Sequence, residues 1–211
     1  MVHKGERYID PAVAERARLE AFEANGGLDR WAYAMSPGMA DYDTRWLEEA
    51  YAAYETGLAG LARPELNETG FSAENGYYGS PDCDVSYQMT RSISPKRVVE
   101  VGSGHSTRVA RQAILDGHLS TKLSAIDPYP RKDIAHLVDQ FEQKALEEVD
   151  DRFFSDLESG DILFIDSSHQ VRMSNDVARL FCRIIPALAQ GVVLHVHDVF
   201  LPYEYPKRFF Y

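Results

Sequence analysis

The residues best suited to chemistry fall into two groups. In the first, Val98-Val99-Glu100-Val101 runs into Gly102-Ser103-Gly104 and on into His105-Ser106-Thr107. A β-branched run, a tight glycine turn and a helix start form the unit that brings a ligand to the carboxyl ends of a parallel sheet. Glycine at 102 and 104 lets that ligand approach the backbone closely. Asp127 ends a second short apolar run, 25 positions beyond Gly102, near the spacing at which a carboxylate accepts hydrogen bonds from a nucleoside ribose. Together these residues predict a nucleoside site. A glycine turn without a ligand is the alternative, and Asp127 weighs against it.

The second group is Asp166, His169, His195, His197 and Asp198. An imidazole exchanges protons near neutrality, and beside carboxylates it either binds a divalent ion or joins a hydrogen-bonded network that positions substrate. His195 and His197 alternate with Leu194 and Val196, which puts both imidazoles on one strand face. His195, lower on that strand, reads as structural. His169, three residues after Asp166, is placed to take a proton from a substrate hydroxyl. A loop histidine that caps the next helix or faces solvent is the alternative.

These residues need a scaffold of strands and crossover helices. From Arg97 onward, short apolar runs alternate with helical patterns, as in a parallel sheet. Strands are expected at Val98 to Val101, Leu123 to Asp127, Ile162 to Asp166 and Val192 to His197, with helices at Ser106 to Leu115 and Val177 to Leu188. Between Gln140 and Val149 a weak strand and a helix fit equally. Upstream, Asp10-Pro11 opens a short helix stopped by Asn25-Gly26-Gly27, and a second runs from about Asp43 to before Pro64. Pro64 to Tyr87 reads as one long loop. The fold class is therefore α/β: a Rossmann-like parallel sheet with crossover helices, residues 91–211, preceded by a helical extension and loop over residues 1–90.

The choice of nucleoside turns on Thr107. A dinucleotide fold wants glycine or alanine at that position for helix packing beside a pyrophosphate. Thr107 argues instead for S-adenosylmethionine (SAM), whose charged amino acid tail replaces the phosphates. Glu100 stands two positions before Gly102, near the expected ammonium. Its alternative role is to hold the loop backbone.

Glu100-Val101-Gly102-Ser103-Gly104 resembles the motif of the class I SAM-dependent methyltransferases. Ile165-Asp166-Ser167-Ser168-His169, followed by His195-Val196-His197-Asp198 and Val199 to Pro206, is similar to one bacterial small-molecule branch, methyltransferase domain 24. The resemblance covers roughly Tyr87 to Pro206. It implies SAM as cofactor, with Glu100, Gly102, Gly104 and Asp127 as its contacts. Ser103 and Asp166 are further candidate cofactor contacts, the acceptor is expected to be a small molecule methylated at oxygen, and His169 and His197 are the candidate catalytic groups. The resemblance also places Asp166, His197 and Asp198 on the three metal ligands of catechol O-methyltransferase-like enzymes. Histidine at 197 would shift such a site from magnesium toward softer ions. Tyr77, Tyr78, Tyr203 and Tyr205 are read as an aromatic lid or as ordinary packing residues. The acidic run Glu147 to Asp151 is read as a solvated turn or an adenine contact.

Composition excludes several classes. The 211 residues carry 33 acidic and 22 basic side chains, a net charge of -11, without the basic block that neutralises phosphates. No nucleic acid partner is expected. Neither an apolar leader nor a span of about 18 apolar residues occurs, so no membrane is expected and the location reads as cytoplasmic. Cys83 and Cys182 suit neither a zinc site nor a disulfide framework.

A complete class I enzyme has two strands after the fifth, and this sequence carries none. A truncated chain, pairing in a homo-oligomer and cover by the N-terminal helices remain alternatives. Two other function classes also stand beside the methyltransferase: a non-catalytic SAM-binding module, and a metal-dependent hydrolase or oxygenase built on the His/Asp group.

Overall fold

The computed structural model describes residues 11–29, 44–131, 133–200 and 205. Its contacts divide the chain into two compact units. Described residues 44–198 belong to one, and 11–29, 199, 200 and 205 to the other. In the latter, helix α1 (Pro11–Ala24) ends where Asn25 and Gly26, at φ +70°, turn the chain. The expected cap at Asp10, the start at Asp43, Tyr203 and the remainder of 201–204 and 206–211 lie outside the described residues.

The larger unit is an all-parallel five-stranded sheet, β1 (Arg97–Val101), β2 (Lys122–Ile126), β3 (Gln140–Glu142), β4 (Ile162–Ile165) and β5 (Val193–Val196), in the order β3-β2-β1-β4-β5. Strands covered on both faces read as nearly continuous apolar runs. Val98, Val99 and Val101 are each buried in β1, and all four residues of β4 are buried. Alternation sorts their side chains. Val99, Val101, Leu163 and Ile165 pack under Leu180, Ile184 and Phe154 on one face, while Val98, Ile162 and Leu123 meet Ala110 and Ile114 on the other.

The helices of that second face are α2 (Arg45–Ala53), α3 (Glu55–Leu61), α4 (Asp82–Ile93) and α5 (His105–Asp116). The other face is covered by the short α6 (Arg152–Ser155) and by α7, which spans residues 176–187 with a π turn at Leu180–Ile184.

Two local expectations are corrected, and one open segment is resolved. The single helix expected from 43 to 63 is broken at Tyr54, whose φ of -117° and ψ of 18° end α2. The long loop is shorter than expected, because α4 begins inside it. Asp82 and Asp84 in its first turn complement the helix dipole, and Tyr87, Cys83 and Val109 then form a common core. Residue 90, where the sequence reading divides extension from core, lies within α4. The ambiguous segment after Asp139 becomes β3, since pairing with β2 satisfies its backbone. Asp139 pins that edge by accepting from the Leu123 amide at 3.0 Å. Burial opposes its ionisation, but Lys122, the Leu123 amide and Arg111 hold its carboxyl down at about 2.

Candidate functional site

The glycine turn leaves β1 beside the end of β4. Gly102 has φ +88°, and a Cβ there would lie 1.9 Å from the Asp166 carbonyl oxygen. Its glycine is thus required by the neighbouring strand itself. Gly104 has φ +152°, and a Cβ there meets nothing within 4 Å, so its approach side is open.

Beneath the turn lies Glu100, only 2 % exposed. Thr107 accepts from the Gly104 amide at 2.9 Å and donates its own hydroxyl proton to the Glu100 carboxylate. Glu100 therefore supports the turn from below through Thr107. Thr107 has a positive reason to be threonine. Burial pushes the Glu100 carboxyl up to about 8, against hydrogen bonds from Ser106 and Thr107 that favour its charged form.

A cavity of about 610 Å³ opens over the carboxyl ends of the strands, lined among others by Gly102, Ser103, Asp127, Asp166, His169 and Asp198. Asp127 stands against the turn in the cavity wall. Its Oδ2 accepts from Ser103 Oγ at 2.8 Å and its Oδ1 from the Tyr129 amide at 2.8 Å. Glu147, in the turn after β3, also lines this cavity, whereas Asp151 is paired with Arg179 and Arg183.

The second group assembles at the ends of β4 and β5. His169 Nε2 lies 2.9 Å from Asp166 Oδ1 and 3.9 Å from Asp198 Oδ2. His169 and Asp198 both have left-handed backbones, φ 55° and 56°, a strain that non-glycine residues keep only where their surroundings hold them. Here the loop after β4 is fixed by Asp176, whose carboxylate accepts from both the amide and the hydroxyl of Ser168. Burial opposes ionisation of Asp166, but the two imidazoles hold its carboxyl well below the usual range. In return Asp166 raises His169.

His197 is buried on the far side of Asp166, with Nδ1 at 3.4 Å from Asp166 Oδ1 and 3.7 Å from Asp198 Oδ1. Its Nε2 lies 3.5 Å from Asp82 Oδ2. Burial lowers its basicity, yet these carboxylates outweigh burial and push it up to about 10. The carboxylates around it favour its charged form. Among the described residues, Asp166, His169 and Asp198 have ligand atoms within 4.8 Å of one another. His197 stands beside the same two carboxylates.

His195 shares its strand face with His197 and meets Phe164 edge to face at 4.8 Å. Burial pushes it down to about 4, so it is neutral, in keeping with a structural role.

Sequence reasoning missed Asp82 and the contact of the Tyr78 ring with His197, 5.0 Å between centroids. The signal for Asp82 was Pro81-Asp82, a helix start concealed by the loop-like composition around it. Asn75 places the aromatic pair by accepting from the amides of both Tyr77 and Tyr78.

The family model for methyltransferase domain 24, described as a methyltransferase domain, matches residues 99–199. That segment is similar to this family. The match runs from within β1 to just past Asp198, so it contains both groups of candidate site residues and all of the parallel sheet but the first two residues of β1. No curated protein is significantly similar. Among solved structures, the O-methyltransferase TomG from Streptomyces achromogenes, involved in tomaymycin synthesis and seen in complex with SAM, is 19 % identical, with a TM-score of 0.40. The match covers 74 % of this chain and 66 % of that one, just under two thirds of its length. No helix among the described residues is long and apolar enough to cross a membrane.

Proposed function

We propose that the methyltransferase domain binds SAM at the glycine turn and transfers its methyl group to a hydroxyl of a small molecule. The observation that carries this reading is the Asp127 carboxylate hydrogen-bonded to Ser103 of the glycine turn in the wall of the cavity. A carboxylate has lone pairs for more than two donors, so ribose hydroxyls can join or displace the Ser103 contact. The cavity volume falls within the range of small-molecule sites. The open approach at Gly104 and the floor held rigid by Glu100 and Thr107 fit a close-lying ligand. Glu147 lines the same cavity and offers an acceptor for an adenine amino group.

SAM supplies a methyl group on a sulfonium that is already activated for displacement. The chain's own task is then to hold the acceptor oxygen in line and to remove its proton. His169, oriented and made more basic by Asp166, takes that proton. The His197 imidazolium, fixed between Asp166 and Asp82, keeps Asp166 ionised and in place.

A second reading is supported by the proximity of Asp166, His169 and Asp198: a divalent ion held by one imidazole and two carboxylates, of the borderline kind that accepts nitrogen. His169 would then be a ligand and no longer free as a base.

Calorimetric titration with SAM on the parent chain and on Asp127→Ala tests the primary reading. Micromolar binding by the parent and at least tenfold weaker binding by the variant, about 1.4 kcal/mol, is expected. A parent chain that does not bind SAM overturns it.

A further inference from the structure

The cavity has a smaller neighbouring lobe of about 90 Å³, which shares Tyr77, Ser103, Arg131 and Asp166 with it as walls and adds Gly104 and His105. Arg131 stands in this wall with its guanidinium carbon 5.4 Å from the Tyr77 ring centroid. The Tyr77 ring in turn lies nearly parallel to His105, 6.3 Å away at 11°. Stacking orders a guanidinium without neutralising it.

Elsewhere in this acidic protein, several arginine charges are matched. Arg97, Arg111, Arg179 and Arg183 each meet a carboxylate. Arg131 meets none among the described residues, although Asp127 and Asp166 line the same cavity. Arg172, the other arginine of the cavity, donates to Gln170 Oε1 and likewise meets no carboxylate among the described residues. An ordered, uncompensated guanidinium beside the open side of Gly104 is suited to bidentate capture of a carboxylate.

We propose that Arg131 anchors a ligand carboxylate in this lobe. The inference rests on the methyltransferase reading, under which two molecules can supply the group: an acceptor that is itself a carboxylic acid, or SAM through its amino acid tail. Tyr77 supplies an aromatic face beside the anion in either case.

Calorimetry on the parent chain and on Arg131→Met separates these sources. The probes are SAM, 5′-methylthioadenosine (the same nucleoside without the tail), and 3,4-dihydroxybenzoate or its methyl ester titrated onto protein loaded with S-adenosylhomocysteine. Arg131 is exposed, so the variant folds, and unchanged methylthioadenosine binding verifies this. SAM affinity reduced at least tenfold by Arg131→Met identifies the tail as the bound anion. Unchanged SAM affinity, with a tenfold preference for acid over ester that the variant loses, identifies the acceptor. If the parent binds the nucleosides and the variant alters neither SAM affinity nor the acid-to-ester ratio, the anchor is overturned while the cofactor reading stands. A parent that binds neither nucleoside overturns both.

Discussion

Ser103 Oγ donates to Asp127 Oδ2 at 2.8 Å, tying the turn after β1 to the carboxylate after β2. Each group thereby orients the other before any ligand arrives. Asp127→Asn keeps the shape but replaces an acceptor oxygen with a donor, so both the Ser103 bond and the ribose contacts suffer. Ser103→Ala removes one neutral bond, worth about 1 kcal/mol. Calorimetry with SAM should rank the affinities parent, then Ser103→Ala, then Asp127→Asn. Equal affinity of all three would contradict the pairing.

The two glycines of the turn are predicted to fail differently. Gly102→Ala forces a Cβ against the Asp166 carbonyl at an unfavourable φ, and should destabilise the fold by about 3 kcal/mol or more. Gly104→Ala is also strained by its backbone but meets open space, so it should weaken SAM binding while leaving the β1–β4 junction intact. Urea denaturation and calorimetry on both variants check this contrast. A Gly102→Ala protein as stable as Gly104→Ala would refute it.

Glu100 sets a pH dependence of stability. Its folded value of about 8 lies above the ordinary carboxyl value of 4.5. The neutral form is therefore favoured by folding, and the contribution is complete below pH 4.5 and lost as pH rises through about 8. Glu100→Gln removes the ionisation while keeping the shape. Its unfolding free energy should fall less between about pH 5 and pH 9 than that of the parent. Parallel curves for the two proteins would assign the slope to other groups.

If His169 is the base, methyl transfer requires its neutral form, and kcat/KM falls as pH drops below its value. Asp166 raises that value, so Asp166→Asn should move the acidic limb of the profile to lower pH, toward the ordinary 6.5. His169→Ala should lower kcat by about two orders of magnitude or more. An unmoved limb in Asp166→Asn would remove His169 from the proton transfer.

The metal reading predicts a different outcome. Zinc or manganese should bind the parent chain and be lost in Asp198→Asn, and chelator treatment should abolish activity. Activity that survives exhaustive chelation, with His169 still essential, leaves the imidazole as base. Loss on chelation with recovery by zinc would make it a ligand.

Local pattern was sufficient for much of this protein. The apolar runs at β1, β2, β4 and β5 and the helices at α5 and α7 read directly, because strands buried on both faces must be apolar and amphipathic helices must repeat their apolar positions. The same logic singled out Gly102, Asp127, Asp166 and His169, since the ends of such strands are where polar residues come together.

Only the tertiary structure decided what those residues do. A three-residue strand such as β3 exists because β2 offers it a hydrogen-bonding edge, and α4 emerges from loop-like sequence because Cys83 and Tyr87 find a core to fill. Asp82 reaches His197 across 115 residues of chain, and with Asp166 it favours the charged form of that imidazole. The need for glycine at 102 likewise comes from the backbone of residue 166. Side-chain identity fixes which protons and charges are available. Their ionisation and their partners depend on distances between strands remote in sequence, which no local pattern encodes.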